Sequence, residues 1–169
     1  SGIRHVINKF NLKKSTHSTR FYASQKDWVH LLINENSLTR TDQLVSDMLE
    51  EYRNHVPSIA LREGALHFLR VLKEQRCSIG IITDGRSVTQ RNKLSSLGIN
   101  KFLDQIVISD EFGSEKPSLD NFNSFDQSVP KFYIGDNPRK DFVAPNQLGW
   151  TTIMLLDDGN NIHSQDLIV

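Results

Sequence analysis

The chain has 169 residues, with 20 Lys and Arg against 20 Asp and Glu, so its formal net charge is zero with the six His neutral. That length suits one domain, or one domain with a small insertion, and lies well above the size at which a chain struggles to bury a core. The charge balance argues against a partner held by neutralising many phosphates, such as a nucleic acid, because that surface needs a basic excess. Cys77 is the single cysteine, which rules out an intrachain disulfide and a cysteine-rich metal site and points to a reducing cytoplasm. Apolar runs such as 79–82 and 153–156 are far short of a membrane span, and no signal-peptide pattern stands at the start of these residues. The expectation is a cytoplasmic chain with no membrane partner.

Up to Pro57 the apolar residues fall at helical spacing: Ile3, Val6, Ile7 and Phe10, then Phe21, Trp28, Leu31 and Leu32, then Val45, Met48, Leu49 and Tyr52. Thr41 followed by Asp42 marks the start of the third helix. Polar links rich in Ser, Thr and Asn span 11–18 and 34–40. Residues 1–57 therefore read as a small helical domain. Trp28 and Tyr22 are candidates to line a pocket, although aromatics at helical spacing are more often core. His55 and His67 read as structural.

After Pro57 helix and strand alternate. Residues 65–72 are apolar nearly all round and predict a well-buried helix. A strand over 78–82 ends in Thr83-Asp84-Gly85, and a polar helix from 87 to 97 is closed by Gly98, the residue best suited to a left-handed cap. Then come a strand at 106–109, a helix around 119–125 and a strand at 131–134 ending in Gly135-Asp136. Asn137 caps a helix with Pro138 at its first position, running to about residue 148, and a last strand covers 151–155. Helices alternating with short apolar strands predict an α/β fold with a parallel sheet covered on both faces. In such a sheet the ligand sits at the carboxyl ends of the strands.

Thr83-Asp84-Gly85, Ser109-Asp110-Glu111 and Gly135-Asp136-Asn137 lie at those ends, so three polar clusters converge on that edge of the sheet. Thr83-Asp84-Gly85 offers a hydroxyl and backbone N–H groups at a helix start, suited to an anion such as phosphate, or it is a plain strand-to-helix turn. Glu115-Lys116-Pro117 offers an ammonium, or is a solvated loop. In Gly135-Asp136-Asn137-Pro138-Arg139-Lys140-Asp141, Asp136 ends a strand and Asp141 lies in the first turns of a helix. Both carboxylates can reach one hard cation such as Mg²⁺; taken singly, they are a helix cap and an acid near a helix N-terminus.

In this order the clusters resemble the second, third and fourth motifs of the haloacid dehalogenase-like hydrolases, and the resemblance extends over essentially the whole chain. It implies a Rossmann-like three-layer core with a parallel sheet over 58–169 and a small α-helical cap over 1–57. Asp110-Glu111-Phe112-Gly113 resembles the family's loop before the lysine. By this resemblance Thr83 and Lys116 are catalytic, the first hydrogen-bonding the transferred phosphoryl group and the second neutralising charge on nucleophile and phosphate. Asp84, Gly85 and Arg86 become substrate contacts, with Arg86 equally readable as a residue decorating a helix start. Asp136 and Asp141 would hold Mg²⁺ directly or through water. The implied activity is hydrolysis of a small phosphorylated metabolite through an aspartyl-phosphate. Carbon–halogen hydrolysis, phosphoryl-transfer mutation, and a catalytically silent module binding a ligand or partner are the alternatives.

The family's first motif, a central strand ending in Asp-x-Asp, has no counterpart, since no aspartate here is followed two residues on by another. Ser1-Gly2-Ile3-Arg4 resembles the start of the first cap helix. The expectation is that the nucleophile strand precedes these residues; a strand from another chain or a rearranged sheet are the alternatives. Losing about five apolar residues of a central strand, at roughly 1.5–3 kcal/mol each, costs on the order of 8–15 kcal/mol, the whole net stability of an ordinary domain.

Overall fold

A computed structural model describes residues 2–13 and 26–156. The chain divides into two compact units, Ser1–Arg76 with Val88–Phe102, and Cys77–Ser87 with Leu103–Val169. Tyr22 and Phe21 lie outside the described residues. None of the described helices is long and apolar enough to cross a membrane, and Cys77 is exposed.

In the first unit, α1 (Gly2–Lys9), α2 (Trp28–Glu35) and α3 (Asp42–Asn54) form a small helical cluster. Their 3–4-residue apolar spacing puts Ile3, Val6, Trp28, Val29, Leu32, Ile33 and Met48 into one buried core. Trp28 is thus a core residue, its ring tilted 49° against that of Tyr52 with centroids 5.0 Å apart. The Thr41 hydroxyl accepts from the Leu44 N–H at 3.1 Å, capping α3 as its sequence predicts. α4 (Ala65–Glu74) departs from expectation. None of its residues is buried, and Leu66 and Phe68 are 37% and 48% exposed. A helix apolar on every side needs covering layers, and the described residues do not form them. α5 (Ser87–Ser96) is followed by Gly98 at φ +65°, the left-handed stop its sequence predicts. Thr89 and Asn92 on α5 donate to the Arg53 and Asn54 carbonyls at the end of α3.

The second unit holds the strands. β1 (Gly80–Thr83) pairs in parallel with β2 (Gln105–Ile108), Thr83 opposite Ile108. β3 (Phe132–Gly135) pairs in parallel with β4 (Thr151–Met154), Gly135 opposite Met154. Between them in sequence lie α6 (Ser109–Phe112) and α7 (Leu119–Asn123) before β3, then α8 (Pro138–Asp141) and α9 (Val143–Gln147) before β4. The strands are parallel as expected. Among the described residues they form two two-stranded sheets, however, with no hydrogen-bonded ladder between β1 and β3. Both pairs share one core: Ile82, Val107, Phe122 and Ala144 are buried, with Tyr133 and Trp150 packed against them. Phe122 meets Tyr133 and Trp150 edge-on at 5.1 and 5.6 Å. On the outward face of β3, Phe132 is 68% exposed and Ile134 beside it is also exposed.

The helix expected from 138 to 148 is two short ones that meet at Phe142. Pro145 has no N–H for the carbonyl of Asp141, so a continuous ladder cannot cross that turn.

Candidate active site

All the expected site residues belong to the second unit. β1 ends at Thr83, and Gly85 follows at φ +129°, in the region open to glycine. The turn is fastened from the segment after β2. The Gly85 N–H donates to the Ser109 hydroxyl at 2.9 Å, and the Ser87 N–H to Asp110 Oδ2 at 3.1 Å. Ser109, expected to end a strand, instead opens α6 and is buried there. Two of the backbone donors that mark this turn as an anion site are therefore already engaged. Arg86 and Gly85 line a cavity of about 540 Å³ with Ser109, Asp110, Ser114 and Glu115.

Asp84 does not stand alone in that turn. Its Oδ1 accepts from the Lys116 N–H at 3.0 Å, and its Oδ2 accepts from the Lys140 ammonium at 3.0 Å. Hydrogen bonding to Asp84 holds the Lys140 pKa above its ordinary value. The Lys116 ammonium donates to Asp141 Oδ1 at 2.6 Å and approaches the Tyr133 hydroxyl at 3.4 Å. The other Asp141 oxygen accepts from the Asp136 and Asn137 N–H groups at 3.1 and 2.9 Å. Asp141 is only 3% exposed. Burial pushes its carboxyl up, but the Lys116 hydrogen bond and the Asn137 and Asp136 N–H groups together outweigh that and hold it below the ordinary value. Burial, then the Asp141 charge, drive the Tyr133 phenol far above its ordinary 10.0, so it stays a neutral hydroxyl.

β3 allows this arrangement by ending in glycine. A Cβ on Gly135 would sit 2.7 Å from both Cβ and Oδ2 of Asp141. Asn137 then starts α8, its side chain accepting from the Arg139 N–H at 3.1 Å with Pro138 at the first helical position. Thr83, Asp84, Lys116, Asp136 and Asp141 thus come together at the carboxyl ends of β1 and β3. Tyr133 joins them with no signal in the sequence, while Ser109 and Lys140 join them from polar runs that the sequence marks without giving either residue a role.

Mg²⁺ asks for hard oxygen donors, few of them from protein. The paired carboxylates match that chemistry, with Asp141 already committed at both oxygens and Asp136 beside it. Among the described residues no cluster of three or more His, Cys, Asp or Glu side chains could hold a metal, so the match is of a partial donor set.

Parallel strands flanked by helices define a Rossmann-like α/β protein, and lysine, hydroxyl and carboxylates gather at its strand ends. The chain belongs to the haloacid dehalogenase-like hydrolase family, whose model matches residues 2–155. It is 33% identical over 113 residues to a glyceraldehyde 3-phosphate phosphatase of Methanocaldococcus jannaschii, covering 60% of this chain and 48% of that protein. A ribulose-1,5-bisphosphate 5-phosphatase of Halopiger xanaduensis is 28% identical, over 59% of this chain and 44% of the other. The chain thus spans about half the length of these relatives. Among solved structures, the HAD-hydrolase YfnB from Bacillus subtilis bound to magnesium aligns at a TM-score of 0.70 with 20% identity, covering 95% of this chain and 80% of that one. That likeness concerns the fold.

Proposed function

We propose that the complete protein is a Mg²⁺-dependent phosphatase of a small phosphorylated metabolite, with its nucleophilic aspartate on a strand outside residues 1–169 that pairs between β1 and β3. One observation carries the reading: β1 and β3 form no ladder with each other, yet Asp84 at the end of β1 and Asp141 beyond β3 both bind Lys116. A parallel strand in that position would bring its terminal carboxylate to Lys116. The phosphatase relatives support the substrate class. Residues 1–57 serve as the cap domain and 58–169 as the core.

In this reading the aspartate attacks phosphorus, the phosphorus–oxygen bond to the metabolite breaks, and water then hydrolyses the aspartyl-phosphate. The Thr83 hydroxyl donates to a phosphoryl oxygen, and Lys116 offsets the negative charge shared by nucleophile and phosphate. Gly85 and Arg86 contact the substrate. Asp136 and Asp141 would hold Mg²⁺, which would supply positive charge beside the phosphoryl oxygens. Asp141 also keeps Lys116 oriented.

The test is phosphate release from sugar phosphates, nucleotides and an aryl phosphate by full-length protein with Mg²⁺. Thr83→Ala and Asp136→Asn are expected to lower turnover by about 10²–10³, the size of effect seen when one transition-state donor is lost, with melting temperature little changed. Full-length protein inert toward every phosphoester would sink the proposal.

A further inference from the structure

We infer that Asp84 is a positioning residue for Lys116 and not a substrate contact, and that Lys140 is its obligatory counter-charge. The inference rests on the phosphatase reading for its consequence but on geometry for its substance. Three segments distant in sequence meet at one carboxylate. Oδ1 takes the main-chain N–H of Lys116, 32 residues on, at 3.0 Å. Oδ2 takes the ammonium of Lys140, 56 residues on, at 3.0 Å. The Asp84 side chain is 18% exposed, and Lys140 lies a further 3.8 Å from Glu115 Oε2. Lys116 is thereby held at both ends, its backbone by Asp84 and its ammonium by Asp141 at 2.6 Å.

Chemistry selects aspartate for this place. A carboxylate accepts at both oxygens, whereas an asparagine offers one oxygen and one amide donor. With asparagine, either the Lys116 N–H or the Lys140 ammonium would face another donor. The same charge is a liability, since an uncompensated carboxylate beside a phosphate site repels the ligand. Lys140 removes that liability by pairing with it. Loss of Lys140 alone should therefore harm phosphate binding more than loss of the pair.

The experiment uses full-length protein and two readouts, amide hydrogen exchange at Lys116 and affinity for inorganic phosphate. Asp84→Ala is expected to speed Lys116 amide exchange at least roughly tenfold, while Lys140→Met leaves it within about twofold. Lys140→Met is expected to weaken phosphate binding about tenfold, Lys140→Arg to restore it, and the double variant with Asp84→Ala to recover most of the loss. Should Asp84→Ala fail to fold, Asp84→Leu, of similar shape and with no acceptor, takes its place in both comparisons. A Lys116 amide unmoved by Asp84→Ala, or phosphate-affinity losses that simply add, would overturn the assignment and return Asp84 to the substrate. Exchange needs no turnover. A full-length protein that hydrolyses no phosphoester would refute the phosphatase reading while the Lys116 amide still decides the role of Asp84.

Discussion

Gly135 is the residue on which the Asp141 side of the site turns. A methyl group there would collide with the Asp141 side chain at 2.7 Å, and Asp141 has nowhere to retreat. Its oxygens are fixed by Lys116 and by two backbone N–H groups. Gly135→Ala is expected to destabilise the second unit by about 1–3 kcal/mol, the usual cost of forcing an extra methyl into a packed place. A thermal melt measures it, and the amide resonances of Asp136 and Asn137 should shift as their acceptor moves. An unaltered melt with unshifted amides would mean the contact is not tight. Much of this arrangement is legible in the sequence, because Thr83 and Asp136 stand at or just past the end of a strand and Asp141 in the first turn of a helix, whereas Lys116, in the loop between α6 and α7, is marked only by the proline after it. Tyr133 and Lys140 are not. Tyr133 reads as one more apolar strand residue, and Lys140 as one more solvated charge. What makes them part of the site is the meeting of segments up to 56 residues apart, which no local pattern encodes.

Elements were legible where their stabilisation is local. The start of α3 is written in Thr41 and Asp42, and the structure makes the predicted bond. Thr41→Ala is expected to cost about 1 kcal/mol, as lost N-caps do, read as a lower melting temperature with Thr41→Ser restoring most of it. No change would mean the cap is replaced by solvent. The stop of α5 at Gly98 is equally local. α4 shows the converse. Its apolar periphery predicts burial, but burial depends on what lies over it, and its residues are left exposed or half-buried. The break between α8 and α9 follows from Pro145, whereas the capping signal at Asn137 fixes where a helix begins but not how far it runs.

At the scale of the molecule, two parallel pairs share one core but no ladder, and the outward face of β3 keeps Phe132 and Ile134 exposed. The α/β class followed from the alternation of elements. That the sheet is split between β1 and β3 did not, because strand order comes from long-range pairing. The split is where the family resemblance expects a strand that is not among the described residues. If that strand bears the nucleophile, turnover of a phosphorylated metabolite must pass through an acyl phosphate on it. The direct measurement is to quench full-length protein during turnover with Mg²⁺, reduce with borohydride, and map the aspartate converted to homoserine. One modified aspartate is expected, outside residues 1–169 and at the end of an apolar strand, and it should be lost in Thr83→Ala. A modified residue within 1–169, or steady phosphate release with no trapped aspartate, would contradict a nucleophile on that strand.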